Sequence, residues 1–449
     1  MEVLGTTESV CPECLSRIPA ACVLRGEDVY LEKTCPEHGF FSTVIWRGQP
    51  ALSSWLRPKN PSFPKHPLTQ VDRGCPFDCG LCPDHRQHSC SVLLEVTGRC
   101  DLHCPVCFAS AGDGAAADWS LNEIGAWFRR LLSTGGPFNI QLSGGEPCMR
   151  DDLPEIIKLG RAYGFSFFQL NTNGLRLSHD TAYIAELKNA GLSTIFLQFD
   201  GTHDSIYKIL RGRELFAVKM AAVERCAEQG IGVVLVPTLV PGINTEDIGN
   251  IIRLAIAHMP AVRGVHFQPI SYFGRCPQLP VDEVRITLPE VMLAIEKQTG
   301  GMIKTDSFSP SGCENAFCSF HGSFVVMPDG SLRSLSRREN NPCCSWPVEA
   351  ALGAARTREF VAANWAYPEL ILVPPVTAAP ILGGWDAFLD RKRTHTFCVS
   401  AMAFQDAWTL DLERLRDCCI HTASPDGRLV PFCAYNLTNC NGMTLYRKV

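Results

Sequence analysis

Short apolar runs alternate with longer amphipathic ones through the middle of the chain. The runs "SVLLEV" (91–96), "FNIQLS" (138–143), "SFFQLN" (166–171), "TIFLQF" (194–199), "GVVLVPT" (232–238) and "GVHFQPI" (264–270) have strand length and strand composition. Between them lie segments with helical spacing: "LNEIGAWFRRLL" (121–132), "DLPEIIKLGRAYG", "DTAYIAELKNAG", "ELFAVKMAAVERCAEQG" and "TEDIGNIIRLAIAHM". Ser120 and Glu123 predict a capping box at the start of the first helix. A succession of βα units predicts a parallel sheet curled into a barrel or part of one. Continuous apolar strands fit burial on both faces, and the chemistry of such barrels gathers at the C-terminal ends of the strands.

The flanks follow other rules. Residues 1–50 carry Cys11 and Cys14 as one knuckle and Cys35 with His38 as another, with a hairpin-like stretch between them. Two such pairs about twenty residues apart suit one tetrahedral ion, zinc by the Cys3His donor set or iron as in rubredoxin. A lobe this small folds on its metal rather than on apolar burial alone. Residues 51–90 are a proline-rich linker that ends in a cysteine group. Residues 301–449 are irregular and again rich in cysteine, with Pro-Asp-Gly turns predicting hairpins in "GSFVVMPDGSLRSL" and "HTASPDGRLVPFC".

Composition narrows the class. The 449 residues are enough for about three domains at roughly 150 residues each. At 46% hydrophobic and 19% charged the chain is globular. A net charge of −5 and no Lys/Arg stripe exclude general attraction to nucleic acid, so a zinc-knuckle nucleic-acid binder is disfavoured. No apolar run reaches the ~20 residues of a membrane span, and the segment 368–384 is interrupted by prolines. The N-terminus lacks a signal-peptide layout, so the expected location is cytoplasmic. In such a compartment the 23 cysteines read as metal ligands where they cluster. Isolated Cys22, Cys148, Cys226 and Cys276 read as buried thiols.

One cysteine pattern occurs twice. Cys75, Cys79 and Cys82 are spaced C-x3-C-x2-C, and so are Cys100, Cys104 and Cys107. Three thiolates from one short loop can hold three irons of a cubic cluster and leave the fourth iron free. The second copy directly follows the first barrel strand, at the catalytic rim; the first precedes the barrel. Rim features then follow in strand order. "SGGEP" (143–147) brings Gly144, Gly145 and Glu146, where backbone can approach a ligand and receive an ammonium group. "NTNG" brings Asn171 and Asn173, suited to ribose hydroxyls. "QFDG" brings Gln198 and Asp200, and "LRGR" brings Arg211 and Arg213, either of which could pair with a carboxylate.

From Cys100 onward the chain resembles a radical S-adenosylmethionine (SAM) enzyme. Together with "CPECL…EKTCPEHG", "GCPFDCGLCPDH", "CPVCFA" and "PDGRLVPFCAYN", the pattern is similar to the tetraether lipid synthase branch of that superfamily. That branch also includes pterin-methylase-like members and radical SAM (seleno)proteins. The resemblance implies an α/β fold: a partial (β/α)6 TIM-type barrel over 91–300, an N-terminal rubredoxin-like or zinc-knuckle lobe over 1–50, an auxiliary-cluster linker over 51–90, and a cysteine-rich auxiliary-cluster region over 301–449. It implies a [4Fe–4S] cluster on Cys100, Cys104 and Cys107 as the low-potential donor that cleaves SAM to a 5′-deoxyadenosyl radical. Gly144, Gly145 and Glu146 would meet the SAM amino group. It also implies two auxiliary centres. One rests on Cys75, Cys79 and Cys82 with Cys90, or else His85 or His88, as fourth ligand. The other rests on Cys313, Cys318 and Cys433 with Cys418 or Cys419, Cys418 being favoured. Cys343, Cys344, Cys398 and Cys440 remain spare thiols.

The expected reaction is hydrogen abstraction from an unactivated carbon for C–C bond formation or alkylation of a lipid-like substrate. An apolar groove along the barrel strands and 368–384 would receive it. Radical methylation of a pterin-like small molecule and peptide maturation are the alternatives. The expected partners are that substrate and a low-potential flavodoxin- or ferredoxin-like electron donor, and transient contact with a bilayer stays open.

Overall fold

The computed structural model describes residues 1–112, 117–276, 280–336, 347–368 and 385–447. Cys343, Cys344 and nearly all of the 368–384 segment therefore lie outside the described residues. The N-terminal lobe is an antiparallel four-stranded sheet of β1 (Glu2–Val10), β2 (Arg17–Arg25), β3 (Asp28–Cys35) and β4 (Gly39–Trp46), in that order.

The predicted strands all form: β5 (Ser91–Thr97), β6 (Asn139–Gly144), β7 (Phe168–Thr172), β8 (Thr194–Gln198), β9 (Gly232–Val236) and β10 (Val262–Pro269). They pair in parallel in chain order, Leu94 opposite Leu142, Leu142 opposite Leu170 and Leu170 opposite Ile195. The connecting helices α1 (Leu121–Ser133), α2 (Leu153–Ala162), α3 (Thr181–Ala190), α4 (Asp204–Arg211), α5 (Phe216–Glu228) and α6 (Ile248–Ala257) cover the outer face. Helix α1 opens on the predicted capping box, the Ser120 hydroxyl accepting from the Glu123 amide.

The C-terminal region adds strands to both edges of this sheet. β11 (Ser319–Val326) and β12 (Leu332–Ser334) form one predicted hairpin, and β14 (Ile420–Ala423) with β15 (Leu429–Pro431) form the other. β13 (Thr396–Met402) pairs in parallel with β10, and β14 pairs in parallel with β5. The order across the sheet is β11-β13-β10-β9-β8-β7-β6-β5-β14-β15. The two ends of the curled sheet thus both come from the C-terminal region.

Helix α7 (Leu288–Gln298) packs on α6, and helix α8 (Ala350–Trp365) lies across the N-terminal mouth of the barrel. Arg358 of α8 donates to the Ser89 carbonyl just before β5, and Arg263 near the start of β10 donates to the Asn364 carbonyl. At the start of β9 a Cβ on Gly232 would stand 2.3 Å from the Trp365 carbonyl, so only glycine admits the helix there.

Strand burial departs from the expected pattern. Outward positions such as Val92, Leu94, Ile140, Leu142, Phe168, Leu170, Ile195 and Leu197 form the core under the helices. The alternating inward positions hold Gln141, Gln169, Asn171, Gln198, His266 and Gln268, which line a cavity. The period of two was hidden because a lone glutamine within each apolar run does not break the appearance of a fully buried strand.

Candidate active site

The loop after β5 carries Cys100, Cys104 and Cys107, and the backbone fixes it at the C-terminal mouth of the barrel. Cys107 and Arg275 exchange amide hydrogen bonds of 2.9 and 3.0 Å, and the Arg275 guanidinium donates to the Cys104 carbonyl at 2.8 Å. All three cysteines line a cavity of about 610 Å³ that runs down the barrel interior. Gly144 and Gly145 fit against this loop without room for a side chain. A Cβ on either would lie 2.1 Å from a carbonyl, that of Thr97 or of Arg99, and Gly144 has φ +138°. The Gly145 amide donates to Thr97 and the Glu146 amide to Arg99, so the glycine pair ties β6 to the cysteine loop.

The Glu146 carboxylate is buried and accepts from the Cys148 amide, the Thr172 hydroxyl and the Asn173 amide at 3.0, 2.7 and 2.6 Å. Burial raises its pKa, and these donors work against that rise. Asn173 donates in turn to Asp101 in the cysteine loop at 2.6 Å. Glu146, Asn171, Asn173 and Gln198 all line the cavity.

Arg211 and Arg213 part company. Helix α4 ends at Gly212 in a left-handed turn (φ +82°), which leaves Arg213 exposed and outside the lining. Arg211 is buried beside Cys104 and holds Asp200 through two bonds of 2.7 Å. Burial opposes its charge, but the Asp200 carboxylate more than offsets this and its pKa stands above the ordinary value. Asp200 itself is fully buried behind Arg211 and does not reach the cavity lining.

Two functional groups escaped the sequence reading. Lys219 of α5 is wholly buried and donates to the Asn173 carbonyl and to Gln198. Burial lowers its pKa to about 8, against the pull of Asp200. The second group is the inward polar ladder. Gln141 donates to Ser91 at 2.8 Å, Asn171 to Gln141 at 3.2 Å and Gln169 to Asn171 at 2.6 Å, while His266 pairs with Ser400 of β13 at 2.8 Å. Phe196 packs against both His266 and Trp365, with ring centroids 5.6 and 4.8 Å away, and the latter two rings also meet at 6.4 Å. The repeated Gln in "NIQLS", "FFQLN", "FLQF" and "HFQP" was the available signal.

The remaining cysteines fall into separate groups. Cys11, Cys14, Cys35 and His38 converge, with Cys14–Cys35 at 4.0 Å, Cys11–His38 at 3.6 Å and Cys35–His38 at 3.4 Å. Tetrahedral Zn–S bonds of about 2.3 Å imply ligand separations of roughly 3.5–3.8 Å, so the donors fit one such ion. Cys75, Cys79 and Cys82 remain neighbours in a loop organised by Asp78, whose carboxylate accepts from the amides of Asp72, Arg73 and Gly74.

Cys90, the expected fourth ligand of that loop, stands elsewhere. Its thiol lies 3.2 Å from Cys419, and with Cys313 the three form a buried set. Cys90 ends the linker at the start of β5 and so belongs to the N-terminal mouth, away from the Cys75 loop. His85 instead directs Nε2 to the Cys418 carbonyl at 2.8 Å, and His88 is half-buried. Cys418, favoured over Cys419 for the C-terminal group, lies near its expected partners Cys318 and Cys433, and it is Cys313 that leaves that group to join Cys90 and Cys419. Successive side chains on extended backbone point to opposite sides, so the Cys418–Cys419 pair serves two groups.

A three-cysteine loop at the C-terminal mouth of a parallel barrel, sealed by a glycine pair and lined by ribose-sized polar side chains, defines a SAM-dependent iron–sulfur enzyme. The family model described as the radical SAM superfamily matches residues 94–255, and that described as HMPTM N-terminal zinc ribbon domain matches residues 3–47. The chain is 34% identical over 477 residues to the 7,8-dihydro-6-hydroxymethylpterin dimethyltransferase of Methanocaldococcus jannaschii, covering 96% of this chain and 93% of that protein. It is 34% identical over 185 residues to the Fe-coproporphyrin III synthase of Methanosarcina barkeri, covering 41% of this chain and 45% of that protein. A probable GTP 3′,8-cyclase of Methanothermobacter thermautotrophicus is 27% identical over 165 residues, covering 36% of this chain and 53% of that protein. The chain belongs to the radical SAM superfamily.

Its cofactors are [4Fe–4S] clusters, SAM and one mononuclear metal. Cys100, Cys104 and Cys107 are the residues that would hold the SAM-binding cluster. Bound there, cluster and SAM supply a one-electron cleavage that yields the 5′-deoxyadenosyl radical. Among the described residues no helix is long and apolar enough to cross a membrane.

Proposed function

We propose that this enzyme methylates a pterin-like nitrogen heterocycle, with a second SAM, distinct from the one cleaved to the radical, as the methyl source that leaves as S-adenosylhomocysteine. The inward ladder Ser91–Gln141–Asn171–Gln169, with His266 across the barrel, carries the reading. An alkyl chain laid along it would desolvate the amide donors and acceptors that the ladder's own bonds leave unused, at about 1–3 kcal/mol each. A planar heterocycle satisfies them along its edge and stacks on the Phe196–Trp365 pair. Burial lowers the His266 pKa to about 4, so at neutral pH it offers one donor and one acceptor and no charge. The pterin named in the relative from Methanocaldococcus jannaschii is such a ring. The lipid reading asks for a continuous apolar groove, and here apolar residues such as Leu93, Phe167, Phe196 and Phe320 are interrupted by Gln141, Gln169, Asn171 and His266.

In this reading each residue has a place. Cys100, Cys104, Cys107, Gly144, Gly145 and Glu146 form the SAM end, with Asn173 and Gln198 beside the ribose and Lys219 holding both in position. Asp200 keeps Arg211 charged and directed at the Cys104 loop. A flavodoxin- or ferredoxin-like protein supplies the electron in the cytoplasm. Anaerobic incubation of reconstituted protein with SAM, dithionite and 7,8-dihydro-6-hydroxymethylpterin tests the proposal. Mass spectrometry should find the pterin heavier by whole methyl groups, alongside 5′-deoxyadenosine. SAM cleavage without any methylated pterin would overturn the substrate assignment.

A further inference from the structure

Four arginines and two glutamates line the cavity. Arg211 and Glu146 belong to the SAM end. The other charges gather away from it, where Arg57 of the linker and Arg356 and Arg358 of α8 meet a single acid, Glu314. Glu314 is buried, and the hydroxyls of Ser311 and Ser319 already donate to its carboxylate. Among the described residues no carboxylate stands within 4.0 Å of any of these three guanidinium groups. Three cations against one anion leave two positive charges unmatched on that wall.

The fold assembles this wall from distant parts of the chain. Lys59 and Asn60 pair in parallel with Val348 and Glu349, the two residues that lead into α8, and so bring the linker beside the start of that helix. A Cβ on Gly353 would stand 2.3 Å from the Gly312 carbonyl, so the first turn of α8 packs directly on the backbone there. The Arg57 guanidinium lies against the same glycine and donates to the Pro310 carbonyl at 3.0 Å. Arg358 is held by the Ser89 carbonyl at 3.1 Å, two residues before Ser91, where the amide ladder begins. Each of these bonds uses one of the five N–H donors that a guanidinium carries. Trp365, on which the ring would stack, is seven residues beyond Arg358 on the same helix, roughly 10 Å of helix rise. A bicyclic ring with one short ester arm covers that span.

We infer that Arg57, Arg356 and Arg358 bind a phosphate group on the substrate, so that the preferred substrate is a phosphate ester of the heterocycle and the free alcohol is a weaker one. The inference rests on the proposed function for the ring and adds the anionic arm. A phosphate monoester carries about −1.5 to −2 charge at neutral pH, which matches the unmatched charge of the wall. Arginine forks bind phosphate oxygens in pairs, which a neutral ring cannot satisfy. The hydroxymethyl group in the name of the Methanocaldococcus jannaschii relative's pterin is an alcohol of the kind such an ester needs. An anion held at one end also fixes which way the ring lies, because the amide ladder alone has donors and acceptors along its whole length. The opposite edge of the ring then faces the SAM end.

Anaerobic titration calorimetry on the reconstituted enzyme tests this with 7,8-dihydro-6-hydroxymethylpterin, its phosphate monoester, inorganic phosphate and dihexanoylphosphatidic acid. The ester should bind about ten-fold more tightly than the free alcohol, and the advantage should shrink at high salt. Inorganic phosphate should compete with the ester and leave the alcohol's affinity unchanged. These comparisons use the unaltered protein and depend on no variant folding. Arg57→Gln/Arg356→Gln should erase the ester's advantage while iron content and the alcohol's affinity stay as they were, and Arg57→Lys/Arg356→Lys should restore part of it. Arg358 is left in place because it also holds the Ser89 backbone and its charge favours the Cys90 thiolate. Equal affinity for ester and alcohol would overturn the inference and leave the proposed function standing. Iron loss in the glutamine variant with the ester's advantage intact would overturn it too, by showing that the arginines only balance thiolate charge. Arginine-dependent binding of dihexanoylphosphatidic acid, with neither pterin bound, would uphold the phosphate site and remove the heterocycle. Failure of all four to bind removes both.

Discussion

Arg211 and Asp200 form a two-bonded ion pair, both contacts at 2.7 Å, with Asp200 fully buried and Arg211 nearly so. The pair lies directly behind Cys104, and the carboxylate also accepts from the Thr238 amide at 3.2 Å. Removing one member of such a pair leaves a buried charge without a partner. Asp200→Ala should therefore lose about 3–5 kcal/mol of stability, whereas Arg211→Lys, which keeps the charge but loses the fork, should lose less. Chemical denaturation of the iron-loaded protein measures both, and a loss for Asp200→Ala below about 1 kcal/mol would contradict the assignment.

The glycine pair makes a sharper prediction. A methyl on Gly145 would meet the carbonyls of Arg99 at 2.1 Å and Gly98 at 2.8 Å, both backbone atoms that cannot swing aside. Gly145→Ala should then displace the cysteine loop from the mouth of β6 and reduce 5′-deoxyadenosine formation by ten-fold or more. The N-terminal metal should stay at full stoichiometry, because that lobe has its own sheet. Unchanged SAM cleavage in this variant would show that the loop does not need the contact.

How far the sequence could be read depends on the kind of interaction. The strands β5–β10 and the capped helix α1 were legible because periodicity and a Ser-x-x-Glu cap are local signals. The cysteine loop after β5 was legible because its spacing is local as well. The pairing of Cys90 with Cys419 was not, since it depends on β14 joining the edge beside β5 across 329 residues of chain. The same is true of β13, whose run "TFCVSAM" shows little strand patterning and is recruited by β10. Arg213 was indistinguishable from Arg211 until the left-handed turn at Gly212 sent the two in different directions.

The division among cysteine groups can be checked by iron counting. Cys100→Ala should abolish SAM cleavage. Cys75→Ala should lower the iron content and leave abortive cleavage measurable, because its loop is not among the residues that line the cavity. Equal loss of cleavage in both variants would refute the assignment of the catalytic cluster to the second triplet. Removing the N-terminal ion with a chelator should unfold that lobe selectively, seen as lost protection of β1–β4 amides in hydrogen exchange.

His266 provides a prediction in pH. Burial lowers its pKa to about 4 from an ordinary value near 6.5. Between those values the unfolded chain takes up a proton at this position and the folded protein does not, so stability falls as the pH drops from about 6.5 toward 4. The linkage is worth on the order of 3 kcal/mol over that interval and nothing further below it. His266→Gln removes this contribution and keeps a polar partner for Ser400. Because acid also protonates the cysteine sites in both proteins, the informative quantity is the difference between wild type and variant. Denaturant midpoints at pH 7, 6, 5 and 4.5 should show wild type losing stability faster than His266→Gln as the pH falls. Parallel curves would mean that His266 takes up its proton in the folded protein over the same pH range as in the unfolded chain, and therefore that the barrel interior is wetter and less suited to a neutral ring.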